Sequence, residues 1–578
     1  MNKINKKLGI FLLLLATACN LDGDLQNPNQ VSVSGADVDL IMNTVQLNFA
    51  DFFHSAAGTV DPLVRMQAMT GGYRYQTAYN PSNMDGLWNV AYKGVLVNNQ
   101  TMQPLAAEKG LTTHVAVGKI LEAYTWITLV DLFGDVPQAE ALQGATGNFN
   151  PAATSGSTIY AYAIQLLTEA RTELAKTGTD AGAALLRDIY YGGSRVKWTA
   201  LANSLELKAW INISMIPSRA AEANTKIATF IDMTTGAAKV SPGALGGLVD
   251  SPSEDFAYKY GTATVPSGSR HPWYDQYYGL TPGTAGGYLN NYYMHEAFGK
   301  WDATDPLNQD KVVQDPRWRY YFYRQIGSIV VADAKFDPKA IFCGAPPPHY
   351  TAWNGNVFCV FQPGFFGRDH GDGSGTPPDG AALTCAGAYP AGGKIDTNPV
   401  TSKTFNKSAA RGDGANGAGI QPIFMGFFTD YTRAELMARA GQPAIAKTIL
   451  AGAITNSITS VKAYVTTGGQ TVPIGVLPLN ANYIAAVNAL YDAATIKTDI
   501  IGKEYWIALF GNGVEAYNLY RRTSAPRNLQ PLVQLSTDTY FRSMVYPAIY
   551  ANLNSSATQK DASKTNKVFW DNNPDNLN

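Results

Sequence analysis

Charge is scarce in this chain. Lys, Arg, Asp and Glu make up 15% of its 578 residues, against roughly 25% in ordinary soluble proteins. The 44 basic residues nearly cancel the 45 acidic ones, leaving a formal net charge of −1. A partner made of phosphates calls for a basic excess or a basic stripe, and nothing here points to nucleic acid. Histidine is rarer still, at six residues. The only His-Glu step, His295–Glu296, has no second histidine at the offset of a zinc-hydrolase helix. A GxSxG elbow is missing as well, since GDGSG at 371–375 reads as a loop. Secreted glycosidases need two converging carboxylates, and no spacing in the sequence singles out such a pair. Asp131 and Asp135, in LVDLFGD, read as turn residues bonded to backbone. The four cysteines are Cys19 and a group of three, Cys343, Cys359 and Cys385. One disulfide fits within that group, with three pairings open. No apolar run beyond residue 15 has the length of a bilayer span, which takes about 20 residues.

What is present begins at the N-terminus. Lys3, Lys6 and Lys7 precede an apolar stretch at residues 8–15 and the small residues Ala16, Thr17 and Ala18, the layout of a secretory signal. Small residues directly before a cysteine resemble a bacterial lipoprotein signal. The expectation is cleavage after residue 18 and acylation of Cys19 with palmitoyl-type chains. Each buried CH₂ then contributes about 0.8 kcal/mol, and more than one chain makes a stable membrane anchor. Residues 19–35 form a polar, lipidated tether.

Apolar residues recur at helical spacing through 114–133, 157–176, 196–216, 427–440, 444–457, 482–494 and 502–521. Several of these segments are neighbours joined by short turns such as Gly441–Gln442, the grammar of helix-pair repeats of roughly 34 residues. In FGDVP, Gly134 ends a helix and Pro137 forbids its continuation. Trp198, Leu201, Ala202, Leu205 and Ala209 form a core stripe. Arg521 and Arg522 sit where a helix C-terminus favours cations and hold the fold together. Between residues 242 and 425 the character changes to Gly, Pro, Asn and Tyr. Residues 256–366 carry 25 of the 65 aromatics, about twice an even share, in the least regular part of the chain. Many serve as core for a loop-rich region. Those left over offer flat apolar faces beside hydrogen-bonding groups, as a sugar or an extended peptide requires. The chain therefore divides into a signal (1–18), a tether (19–35), an N-terminal helical scaffold (36–241), a loop-rich aromatic ligand-binding region (242–425) and C-terminal helical pairs with a return segment (426–578).

The order and spacing of several segments resemble the SusD/RagB family, in its SusD-like branch. They are WNVAYKGVLVNNQ (88–100), LVDLFGDVPQAEAL (129–142), IYYGGSRVKWTALANSLELKAWINIS (189–214), GRDHGDGSGTPPD (367–379), YPAGG (389–393), RAELMARAGQ (433–442), KEYWIALFGNGVEAYNLYRRTSAPRNLQP (503–531), RSMVYPAIYANLN (542–554) and KVFWD (567–571). The resemblance implies a mainly α-helical scaffold of about four tetratricopeptide-like helix pairs, with a large irregular region packed on it. It also implies a cell-surface nutrient-binding lipoprotein of the outer membrane, facing the exterior. Such a protein passes oligosaccharide or polysaccharide to a SusC-like TonB-dependent transporter on which it sits as a lid. Enzymatic activity is not expected. Two alternatives stay open: the same architecture binding oligopeptides, and a helical protein–protein adaptor with no small ligand.

Ligand contacts in the family lie in variable loops. By region, the resemblance points to Trp88 and Asn89. The aromatic-rich stretch adds Trp273, Tyr277, Tyr292, Trp301 and Trp353. In RDHGDGSG, the oxygens of Asp369, Asp372 and Ser374, with His370 between, either hold a hard cation such as calcium or form a polar turn network.

Overall fold

The computed structural model describes residues 37–577 apart from 70–71, 240–245, 267, 278–286, 299–314, 324–366, 374–383, 391–413, 468–478, 528, 534–538, 562–564 and 576. Helix α1 (Val38–Val60) starts at Asp37, whose carboxylate accepts the Asp39 N–H at 2.9 Å. An oxygen there satisfies a donor that the first turn leaves unpaired. The chain then runs through α2 (Asp85–Asn89), a π-helical stretch (Val90–Leu96) and α3 (Val97–Glu108). Helix α4 (Thr112–Phe133) is buried on nearly every side, as a helix apolar around its circumference must be. It ends as FGDVP requires: Gly134 takes φ +74°, a backbone conformation that side chains with a Cβ rarely adopt. Ser155 caps α5 (Gly156–Ala175), which lays Ile159, Ala163, Leu167 and Leu174 into the core. Ser194 caps α6 (Arg195–Ile213), whose Trp198, Leu201, Ala202, Leu205 and Ala209 are all fully buried. Helix α7 (Ala220–Phe230) packs back on α6.

The middle of the chain holds short elements. They are β1 (Phe256–Lys259), α8 (Pro272–Tyr277), α9 (Asn291–Phe298), β2 (Phe322–Tyr323), β3 (Cys385–Ala386) and β4 (Ile420–Phe424). β1 pairs antiparallel with β4, Phe256 opposite Phe424 and Lys259 opposite Ile420; β2 pairs antiparallel with β3. Helices return with α10 (Gly426–Arg439) and α11 (Pro443–Thr467), turned by Gly441 at φ +74°, then α12 (Leu479–Ala493), α13 (Lys497–Ala508) and α14 (Gly513–Thr523). The single helix expected over 502–521 is two. Gly511 at φ +85° breaks it, and the Asn512 side chain caps α14 by accepting the Glu515 N–H at 3.0 Å. Against the expectation that no segment beyond residue 15 has the length of a bilayer span, residues 443–464 of α11 are long and apolar enough by composition alone. Here Ala446, Leu450, Ala453, Ile454, Ile458 and Val461 bury within the protein.

The architecture is mainly α-helical, with antiparallel neighbours in the manner of tetratricopeptide pairs: α4 with α5, α6 with α7, α10 with α11. One apolar core runs through all of it. A polar hub sits at its centre. The Asp131 carboxylate on α4 accepts hydrogen bonds from Tyr160 on α5, from Trp570 Nε1 (3.0 Å) and from Asn518 Nδ2 (2.7 Å), and faces Lys208 Nζ at 3.5 Å. Arg521 donates to the Asp131 carbonyl (2.6 Å) and stacks over Tyr517 and Trp570 at 3.7 and 4.8 Å. Lys208 also reaches Glu515 at 2.5 Å. Arg522 forms a two-pronged pair with Glu435 at 3.0 and 2.8 Å. Burial opposes the Glu435 charge, yet the facing guanidiniums still hold its carboxyl below the usual range. The LVDLFGD, LELKAW, NLYRR and KVFWD segments thus meet in one network, and Asp131 is a structural carboxylate. Asp135 accepts the Gly156 N–H at 2.8 Å, a backbone contact at the head of α5.

Candidate functional site

The turn at residues 367–373 is clamped from three sides. The Gly367 N–H donates to Asn291 Oδ1 at 2.8 Å, and the Arg368 N–H donates to the Leu289 carbonyl at 2.9 Å. The two carboxylate oxygens of Asp369 accept Asn291 Nδ2 (2.8 Å) and Gln530 Nε2 (2.7 Å). The Asp372 N–H closes the turn on the Asp369 carbonyl at 3.2 Å. His370 meets the Tyr75 hydroxyl through Nε2 at 2.9 Å. Burial, then the nearby Arg65 charge, pushes this imidazole well below its ordinary range, so it stays neutral. Arg65 reaches Gln530 O (2.7 Å) and the Tyr75 hydroxyl (3.2 Å). Among the described residues these bonds form a network of the polar-turn kind. Asp369 and Asp372 are both buried, and among the described residues no group of three or more His, Cys, Asp or Glu could hold a metal ion.

These contacts tie a floor within the loop-rich region to the helical scaffold. Gly371, at φ +74°, lets the Tyr73 backbone approach so closely that a Cβ there would lie 2.9 Å from the Tyr73 carbonyl. Tyr73 and Arg74, anchored from beneath, stand exposed. A phenol face and a guanidinium fork together can stack on a ring and donate to hydroxyls or carbonyls. The sequence had no signal for this pair, because exposure of Tyr73 follows from the distant turn at 367–373.

The sequence candidates lie elsewhere. Trp88 is buried, stacked between Tyr92 (4.7 Å) and Tyr550 (5.0 Å), with Phe133 edge-on at 5.3 Å; Asn89 is half-buried beside it on α2. Trp273 is buried among His54, His271 and Phe510. The Tyr277 ring fills the space where a Cβ on Gly287 would be. Tyr292 packs on Trp506 at 5.9 Å. Trp273, Tyr277 and Tyr292 therefore face inward and support the region from below. Trp301, Trp353, Ser374, Cys19, Cys343 and Cys359 lie outside the described residues; Cys385 is buried in β3.

Fold and floor together define a class: a helix-pair scaffold carrying an irregular, aromatic-supported face. Residues 28–242 match a family described as starch-binding and associating with the outer membrane, the SusD-like family. No curated protein matches the chain. Among solved structures, a SusD/RagB family protein from Bacteroides thetaiotaomicron superposes with a TM-score of 0.60 at 15% identity, covering 93% of this chain and 99% of its own. A SusD homolog from Bacteroides fragilis gives 0.58 at 16%, covering 93% and 99%. A chitin-binding SusD homolog from Flavobacterium johnsoniae gives 0.56 at 17%, covering 94% and 100%. The N-terminal part of the chain thus matches the SusD-like family, and the chain shares the fold of SusD/RagB structures over nearly its whole length.

Proposed function

We propose that this protein is a nutrient-binding lipoprotein of the outer membrane, anchored through acylated Cys19, which captures oligosaccharide or polysaccharide on its loop-rich face and delivers it to a SusC-like TonB-dependent transporter. The observation that carries this reading is the SusD-like match joined to a fold shared over nearly the whole chain. The chitin-binding neighbour supports a glycan over a peptide, as does the low charge of the chain. Tyr73 and Arg74 supply the described part of the ligand face, with Trp301 and Trp353 as further contacts. The role is binding, without chemistry on the ligand.

The test is binding of residues 20–578 to panels of polysaccharides and peptide digests. Saturable glycan binding that weakens at least tenfold in Tyr73→Ala and Arg74→Ala supports the proposal. Binding of peptides alone replaces glycan with peptide, and silence on both panels supports the adaptor reading. Retention of the chain in the membrane fraction, lost in Cys19→Ala, tests the anchor.

A further inference from the structure

A second concavity lies on the helical scaffold, outside the aromatic-rich region. It encloses about 410 Å³ between α3, α4, α5 and the 138–143 loop, within the roughly 300–1,000 Å³ of small-molecule sites. Its wall is built around a half-buried carboxylate. Glu122 accepts hydrogen bonds from Trp126 Nε1 (3.3 Å), the Tyr162 hydroxyl (3.1 Å) and Asn99 Nδ2 (2.8 Å). These bonds fix an indole and a phenol ring in the wall.

Around the rings stand four primary amides: Gln100, Gln103, Gln138 and Gln143. Two are tied down, Gln103 Nε2 to the Val115 carbonyl at 3.1 Å and Gln143 Nε2 to the Ala139 carbonyl at 3.0 Å, which leaves their amide oxygens as acceptors. The side chains of Gln100 and Gln138 make no hydrogen bond among the described residues. Lys119, the one cation in the lining, is neutralised by Glu169. The loop that closes the concavity is held in place: Val136 and Thr154 exchange backbone hydrogen bonds, and Leu142 sits at φ +62°.

We propose that this concavity is a binding site for a neutral sugar of one or two rings. Paired amide donors and acceptors match vicinal hydroxyls, and the half-buried Tyr162 ring, held by Glu122 in front of the buried Trp126, suits the apolar face of a pyranose. A phosphorylated or carboxylated ligand would find no uncompensated cation. The site is separate from the Tyr73–Arg74 face and does not depend on it.

Saturation-transfer NMR and calorimetry on the full chain test it, with maltose, cellobiose and N,N′-diacetylchitobiose as neutral probes and free glutamine as a zwitterionic one. At least one disaccharide is expected to bind. Its affinity falls tenfold or more in the Gln100→Ala/Gln138→Ala double variant and is lost in Gln100→Trp, while Tyr73→Ala leaves it unchanged. Gln100 is exposed and Gln138 half-buried, and an unchanged melting temperature verifies that both variants fold. Failure of all three sugars to bind overturns the proposal. So does sugar binding that Gln100→Trp leaves intact, or binding of glutamine alone.

Discussion

Replacing Asp131 by Asn probes the polar hub with the smallest change of shape. The carboxylate accepts four donors on its two oxygens: Tyr160 and Trp570 on one, Asn518 and Lys208 on the other. An amide can accept on only one side. In one orientation its NH₂ faces Asn518 Nδ2 and the Lys208 ammonium; flipped, it faces the Tyr160 hydroxyl and Trp570 Nε1. Either way two buried donors lose their acceptor, at about 1–3 kcal/mol each. The buried cations also lose a counter-charge, and breaking a buried ionic cluster from one side costs about 3–5 kcal/mol. The two figures describe overlapping losses, so the expected destabilisation is about 3–5 kcal/mol. Urea unfolding followed by tryptophan fluorescence measures it, with near-UV circular dichroism to show that the native fold persists. Asp135→Asn is the control: it keeps an acceptor for the Gly156 N–H, and its cost should stay within about 0.5 kcal/mol. A loss below about 1 kcal/mol for Asp131→Asn, or a larger loss at position 135 than at 131, would refute the assignment of Asp131 as the structural centre.

Asp61 is buried, and burial raises its pKa to about 8. A carboxyl raised in the folded state contributes stability below its unfolded pKa and loses it as pH climbs toward the folded value, at about 1.4 kcal/mol per pH unit. Asp61→Asn should remove this slope, changing the difference from wild type by about 3 kcal/mol between about pH 5.5 and pH 8; parallel curves for the two proteins would contradict it. His54 and His271 are shifted the opposite way, below the imidazole range by burial, so their contribution is complete above about pH 6.5 and is lost as pH falls below it. Their effect is read as a drop in melting temperature on acidification that a His271→Gln variant shows less steeply. Trp88→Ala should cost about 3–5 kcal/mol of stability, seen as a lowered urea midpoint; an unchanged midpoint would make Trp88 an accessible residue after all. Arg522→Leu alone should cost about 3–5 kcal/mol, whereas Arg522→Leu combined with Glu435→Leu should cost less than the sum of the single changes; strict additivity would mean that the pair is uncoupled.

Several helices were legible in the sequence from a polar face alternating with an apolar one or from a breaker at an end, although α1 (Val38–Val60), α3 and α7 escape that reading. The 157–176 pattern became α5 at Gly156–Ala175, and FGDVP ended α4 at Phe133. The one merged assignment, 502–521, came from reading through Gly511, because apolar residues continue in phase on both sides of the break. The site was much less legible. Composition marks Trp88, Trp273, Tyr277 and Tyr292 as equally able to stack on a ligand or to fill a core, and burial depends on partners far away in sequence, such as Tyr550 for Trp88. Tyr73 and the glutamines around Glu122 carry no sequence signature at all, since their placement is a product of tertiary contacts.

The hub also ties together parts of the chain far apart in sequence. Its carboxylate comes from residue 131, while the indole that donates to it is 439 positions later. Arg542 likewise finds its carboxylate partner only at Asp571, at 2.7 Å. The helices of the first half carry a central charge whose closing donors include Trp570 of the KVFWD segment. The KVFWD segment therefore acts as a keystone: it closes a network whose central carboxylate lies hundreds of residues earlier.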